Sequence, residues 1–575
     1  MVHADNRAGD QVDVLILGGG SAGCVLAARL SERRDLTVAL AEAGDDTPPG
    51  AVPEDIASRY PGRAYFNPRY SWPDLRVTLG AAHLNDSARR PQARYEQARV
   101  MGGGSSINGI GVNYGAPADY EDWHAAGAEG WRWRDVEPFF RKAERDLDQP
   151  TPGHGTDGPI PVRRVPPGEW SGFTRAVGDA LTAMGHARRT DQNGPWEDGV
   201  MPTSVNLDED WRRVSTATGY LNAAVRARPN LILLPRHQAG RLILEGERVA
   251  GAELIHDGGV KAVRARRTIV SCGAIHTPAL LMRNGIGPAA DLRALGIALV
   301  ADRPGVGANL MEHPATNLSC LMTPAGRLKR RDMYHIQTMF RFSSGLAGEP
   351  QGDMHVAIAA QSAWHALGHR IGSLVMWVNR SHSRGHVRLR SADPQTEPAV
   401  DFRLLSDPRD MTRMMAAFRL CARVLAAPQL DGVRRMTFPV HLSDRLRRIA
   451  RPGARNALLL EILARYVDLT GSHGDALIRR LATRDVDLGK LLADDDALAA
   501  YLAQATTGVW HASGTARMGR RDDRMAVCDP EGAVIGVAGL SVCDASLMPS
   551  IPCANLNLPI IMMAEKIADG LKRTL

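Results

Sequence analysis

The feature that most constrains this chain lies at its start. Residues 12–17 (VDVLIL) form a nearly continuous, β-branched apolar run, the pattern of a parallel strand buried on both faces. Gly18, Gly20 and Gly23 follow at once in GGGSAG. A helical stretch then runs to about Arg33, and residues 37–41 (TVALA) read as a second strand that ends at Glu42. The order predicts a βαβ unit. In such a unit Gly18 permits the tight turn, Gly20 lets the backbone approach a pyrophosphate, and Gly23 lets the helix sit close to the strand. The free N–H groups of the helix start favour phosphate. Glu42 lies 24 residues after Gly18, where a carboxylate can accept hydrogen bonds from a ribose diol. The unit implies a bound dinucleotide and leaves FAD and NAD undistinguished.

Composition narrows the class further. The 575 residues exceed what one core usually holds, so more than one domain is expected. The net charge of +7 is spread over the whole chain, and only six of the 70 basic residues are Lys. That Arg skew reads as a bacterial coding bias. No basic run is long enough to suggest nucleic-acid binding, and pairs such as Arg266–Arg267 read as solvated surface. The seven Cys form no CxxC pair, which argues against a disulfide framework or a zinc site and for a reducing compartment. The polar first ten residues do not read as a signal peptide, and no run approaches the roughly 20 apolar residues of a membrane span. A cytoplasmic protein with no metal is the expectation.

Along the chain, residues 46–99 read as long excursions and residues 149–167 as a Pro/Gly-rich connection. Helices are expected over residues 123–146, 215–224, 276–283, 410–425, 454–465 and 558–571. Strands are expected over residues 231–234, 240–244 and 268–271, with a hairpin of 249–254 and 260–265 around Asp257-Gly258-Gly259. Residues 372–390 alternate as strands do. Dinucleotide-type features at both ends of the chain imply a domain assembled from discontinuous pieces.

Four further motifs stand in order: RVMGGGSSIN from Arg99, SCGAIHTPALLMRNGIG from Ser271, GVGANLMEH from Gly305, and a C-terminal pair, VWHASGTARMG from Val509 and CDASLMPSIPCANLNLP from Cys543. With these the chain resembles the glucose–methanol–choline (GMC) oxidoreductase family over essentially its whole length. The resemblance implies an α/β FAD-binding, Rossmann-like domain and an α+β substrate domain with an antiparallel sheet. It implies residues 1–160, 213–315 and 506–575 for the first, and 161–212 and 316–505 for the second. It also implies that Ser21, Ala22 and Glu42 lie on the ADP half of FAD, that Val100, Met101, Gly103 and Asn108 line the flavin end, and that Ala239 lies near the adenine. Asp544 and Ala545 would return to the pyrophosphate and ribityl region. His511 matches the family's active-site His, and Asn555, 44 residues later, the second active-site position. Ile107 stands where some relatives carry a His bonded to the flavin, so non-covalent FAD is expected. His276 and His313 fall in family motifs and are expected to serve structure.

The chemistry suits this pair. Oxidising an alcohol requires removal of the hydroxyl proton and transfer of the α-hydride. A neutral imidazole can take the proton, and a nearby amide can hydrogen bond the forming alkoxide. Trp510 is a candidate wall of the substrate pocket. His511 with Asn555 and the phrase WHASGTARMG resemble bacterial oxidases of hydroxymethylfurfural and benzylic alcohols. The expected partners are a small primary alcohol and O₂ or another electron acceptor. A dehydrogenase passing electrons to a quinone, a hydroxynitrile lyase with idle FAD, and a non-catalytic FAD-binding protein remain open alternatives.

Overall fold

The computed structural model describes residues 10–80, 92–149, 153–440, 448–449, 451–483 and 486–575. The first nine residues, and parts of the 46–99 excursion and the 149–167 connection, lie outside them. The βαβ unit is present as β1 (Gln11–Leu17), α1 (Ser21–Leu30) and β2 (Val38–Glu42). All five β2 residues are buried, as expected of a strand covered on both faces. Gly18 has a φ of +104°, and a Cβ on Gly23 would lie 1.9 Å from the Gly18 carbonyl oxygen. Turn and close helix packing therefore both require glycine.

Five parallel strands stand in the order Leu540–Val542, Gly259–Val270, β1, β2 and Leu231–Pro235. The Gly259–Val270 strand carries two neighbours along one edge. Its last residues pair with Leu540–Val542, and its first half pairs antiparallel with Arg248–His256, which leads on to Gln238–Glu245. The hairpin turns where expected, with Asp257 and Gly258 both at positive φ. Residues 268–271, expected as a separate strand, instead continue the hairpin arm, because one extended segment can pair with different partners along its length. The C-terminal helix (Asn557–Thr574) packs on α1. There the fully buried Glu565 receives Arg29, Lys142 and the Tyr220 hydroxyl, at 2.7, 2.9 and 2.8 Å.

A second sheet of six strands is antiparallel throughout, in the order Arg434–Val440, Ala315–Met322, Ile371–Val378, Met354–Ala359, Ile336–Phe342 and Gly199–Pro202. Its side chains alternate as strand geometry dictates. Leu374, Met376 and Val378 face a core shared with the helices Gly172–Ala183 and Pro408–Ala426. Ser373, Val375 and Trp377 face the opposite way, into a cavity.

Two helical expectations are corrected. Residues 123–146 are not one helix: Pro117–Ala125 and Trp133–Ala143 are separated by Gly127 and Gly130, both at positive φ, and the chain then enters the strand Glu144–Asp146. Residues 215–224 are not one helix but hold the single turn Thr216–Gly219 and the start of another, Ala223–Arg226, which the Asn222 side chain caps. The helix expected over 454–465 extends to Leu469. All seven Cys are free.

Candidate active site

A cavity of about 780 Å³ runs from the C-terminal ends of β1 and β2 to the outward face of the antiparallel sheet. Gly18, Gly20, Ser21, Ala22, Glu42, Gly103, Asn108, Ala239, Asp544 and Ala545 line it, as do Trp510, His511 and Asn555. Gly23, Val100 and Met101 are buried beside it and do not line it.

The nucleotide end fits a dinucleotide. α1 begins at Gly20 with no side-chain cap, so its first N–H groups are available to phosphate. Gly20 has an ordinary φ of −76°, and nothing stands closer than 4.0 Å to where its Cβ would be. Gly109, further along the cavity, has no atom within 4 Å of its Cβ position. Neither conformation nor packing within the chain requires glycine at these two positions, and the open space at each is what a closely approaching ligand needs. The Glu42 carboxylate accepts from the Gly19 and Gly44 N–H groups at 2.9 and 2.8 Å, and burial pushes it up to about 7. Asp544 has a different task from a free ligand group. Its carboxylate accepts from Gly273 N, Thr277 Oγ1 and Ser546 N, and so ties together two helix starts. Asn108 Oδ1 is likewise held by the buried Arg213, at 2.7 Å.

The other end is built around Glu312. Its carboxylate accepts from the backbone N–H of His511 at 2.8 Å, of His313 at 3.0 Å and of Val509 at 3.3 Å, and from the Tyr95 hydroxyl at 2.8 Å. Burial pushes Glu312 up to about 7. A Cβ on Gly508 would lie 2.6 Å from the Glu312 side chain, so glycine is required where the loop passes the carboxylate. The loop is fixed on both sides by backbone bridges, Thr507 to Ala315 and Ser513 to Met311. Between them Trp510 takes a φ of +62°, a conformation uncommon for a bulky residue. This bend directs His511 inward and leaves Trp510 38% exposed at the cavity mouth. Trp510 lies against Tyr65 and Phe66, and its indole N–H donates to Glu96 at 3.0 Å.

His511 sits in a chain of hydrogen bonds whose directions are determined. His313 Nε2 is 3.2 Å from the Pro552 carbonyl oxygen, which only accepts, so His313 carries its proton there. His313 Nδ1 is then a lone pair, and His511 Nδ1, 2.8 Å away, donates to it. His511 Nε2 is left as the acceptor, with Asn555 Nδ2 at 3.4 Å. Burial holds His313 down at about 3; burial, reinforced by His313, pushes His511 well below its ordinary value. Both rings are neutral near pH 7. Asn555 is positioned by its backbone N–H, which donates to Asn113 Oδ1 at 2.7 Å.

The structure thus brings His511, Asn555 and Trp510 together, 44 residues of sequence notwithstanding. Sequence reasoning missed Glu312, Tyr65, Phe66 and Glu96, and gave His313 only a structural role. Glu312 and His313 stand in the GVGANLMEH motif, but nothing in the motif reveals which backbone groups the carboxylate gathers.

A glycine-turn dinucleotide fold joined to a neutral His–Asn pair defines a cofactor-dependent alcohol oxidoreductase. Family models described as GMC oxidoreductase match residues 12–315 and 381–564. The chain is 42% identical to 5-(hydroxymethyl)furfural oxidase of Methylovorus sp. (strain MP688), covering 97% of this chain and 98% of that one. It is 32% identical to oxygen-dependent choline dehydrogenase of Paraburkholderia xenovorans (strain LB400), over 98% and 95%. The crystal structure of pyridoxine 4-oxidase from Mesorbium loti superposes with a TM-score of 0.79 at 27% identity, covering 97% of this chain and 99% of that one. The chain belongs to the GMC oxidoreductase family and is an FAD-dependent alcohol oxidoreductase.

Proposed function

We propose that this protein oxidises a small primary alcohol, aryl or furanic, to the aldehyde, with O₂ as acceptor giving H₂O₂. The observation that carries the reading is the lone pair of His511 Nε2, directed into the cavity beside the Asn555 amide. FAD, when bound, supplies the hydride acceptor. His511 Nε2 takes the hydroxyl proton while the α-hydrogen leaves with its electron pair. Asn555 Nδ2 donates to the alcohol oxygen as negative charge grows there. His313 holds the His511 ring in the tautomer that leaves Nε2 open. Val375 and Trp377, with Trp510 and Tyr65, offer an apolar and aromatic enclosure suited to a flat ring. The similarity to the furfural oxidase supports the furanic choice.

In this reading Gly18, Gly20, Ser21, Ala22 and Glu42 hold the ADP half of FAD, Gly23 lets α1 pack close beneath them, and Ala239 lies by the adenine. Val100, Met101, Gly103 and Asn108 support the flavin end, with Asp544 and Ala545 between. Ile107 lines the cavity and offers no nucleophile, so FAD is held without a covalent bond at that position. The two sheets correspond to the cofactor and substrate domains.

A second reading has its own observation. Tyr65, Phe66 and Trp510 cluster at the mouth beside Glu96, an arrangement that also suits a quaternary ammonium ion such as choline. The deciding experiment mixes the holoenzyme anaerobically with benzylic alcohols, furanic alcohols and choline while the flavin band is followed, and then admits air. Bleaching by the ring alcohols, reversed by air with peroxide formed, is the expected result. Bleaching that persists in air identifies a dehydrogenase, bleaching by choline alone selects the second reading, and no bleaching at all removes both substrate readings.

A further inference from the structure

The helix Ala454–Leu469 has two apolar faces. Leu460, Ala464 and Val467 are buried against Leu321, Met436 and Phe438 of the antiparallel sheet. Leu458, Leu459, Ile462, Tyr466 and Leu469 are 64, 53, 58, 44 and 85% exposed. At 3.6 residues per turn these five span about 100° of the circumference, roughly opposite the buried three. They are five of the twelve large hydrophobic residues exposed among the described residues, so the patch is a concentration and not ordinary scatter.

The charges around this stripe are sorted. The carboxylates of the helix and of its partner helix Ser472–Thr483 pair with the body of the protein. Glu461 pairs with Arg331, Asp468 with Arg327 and Arg370, and Asp475 with Arg435, at 2.9, 2.7, 2.7 and 2.6 Å. Exposed arginines stand around the stripe: Arg448, Arg451, Arg455 and Arg480, while Arg465 pairs with Glu461 of its own helix at 3.4 Å. Arg455 lies within the apolar arc itself. An exposed apolar face set among arginines is the signature of a helix that lies in a lipid interface. A second copy of the chain is disfavoured, because a two-fold contact would set arginine against arginine.

We infer that this helix docks the protein on an anionic lipid surface, as a peripheral and not a spanning contact. The stripe immerses in the outer acyl region, and the arginines meet anionic headgroups. The contact lies beside the cavity mouth, since Arg451 shares a small surface groove with Phe66 and Glu96. Apolar substrates or electron acceptors dissolved in the lipid are then delivered next to Trp510.

The test is sedimentation of the holoenzyme with phosphatidylcholine vesicles, with and without phosphatidylglycerol. Binding is expected only with phosphatidylglycerol, and salt weakens it. Ile462→Glu with Leu469→Glu abolishes it, while turnover of a water-soluble alcohol is unchanged. Arg451→Gln, Arg455→Gln and Arg480→Gln, combined, leave the apolar face intact and lower partitioning at least about tenfold. Failure to sediment with anionic vesicles, or equal binding by the variants, overturns the inference. A dimer in solution that Ile462→Glu dissociates does so too, and identifies a second copy as the occupant.

Discussion

His313 and His511, 198 residues apart in sequence, meet Nδ1 to Nδ1 at 2.8 Å, and the Pro552 carbonyl determines which of the two donates. One backbone oxygen thus selects, through two rings, the nitrogen of His511 that is left as an open acceptor. His511→Ala is expected to lower kcat by roughly 10²–10⁴-fold with bound flavin retained. His313→Ala leaves the base present but its tautomer unselected. Its expected loss is smaller, on the order of 10–100-fold by analogy with partners that orient metal-ligating histidines. Single-turnover flavin reduction measures both; equal rates for His313→Ala and the parent would exclude the positioning role.

Burial pushes the His511 pKa well below that of a free imidazole. The base form is the active one, so rate is lost as pH falls through the folded pKa. The acidic limb of kcat/KM is therefore expected below about pH 6.5, the unperturbed histidine value. A limb at or above that value contradicts the burial of the His511 ring against His313.

Asn555 offers an amide donor 3.4 Å from His511 Nε2, and in the proposed reaction it stabilises the alkoxide. Asn555→Ala is expected to slow flavin reduction by roughly 10²–10³-fold with little change in bound FAD. An effect confined to KM would assign the residue to ground-state binding instead.

Gly20 is separable from the fold because its φ is ordinary and its Cβ position is open. Gly20→Val is expected to fold, with the far-ultraviolet circular dichroism of the parent, yet to be isolated without yellow colour. A flavin-replete Gly20→Val protein would place the dinucleotide elsewhere. As a complementary check, acid precipitation of the parent is expected to release all of its flavin, since Ile107 cannot bond to it.

Away from the cavity, His154 joins Asp191 and Glu144 at 2.9 and 3.2 Å. Burial opposes its charge, but the hydrogen bonds to Asp191 and Glu144 prevail and lift its pKa to about 10. A raised folded pKa gives stability that is fully present below the unfolded value of about 6.5 and is lost as pH rises through the folded value. Denaturant midpoints are expected to fall between pH 6.5 and 10 in the parent and to fall less in His154→Gln.

The sequence singled out His511 and Asn555 through a family resemblance, and by itself it determined the βαβ unit and the hairpin at Asp257. The last two rest on local rules: glycines where no side chain fits, β-branched runs that need two covered faces, and a turn that demands positive φ. It misjudged residues 123–146 because apolar periodicity continues across Gly127 and Gly130, whose backbone conformation ends the helix. Only the tertiary structure decided which nitrogen of His511 is left as an acceptor in the cavity. That choice depends on Pro552, His313 and Glu312, and hydrogen-bond direction passes between groups that sequence separation hides. The outer face of Ala454–Leu469 is of the same kind. Its residues read as an ordinary helix until the packing reveals that a second apolar stripe points to solvent, while Glu461, Asp468 and Asp475 pair with arginines of the body.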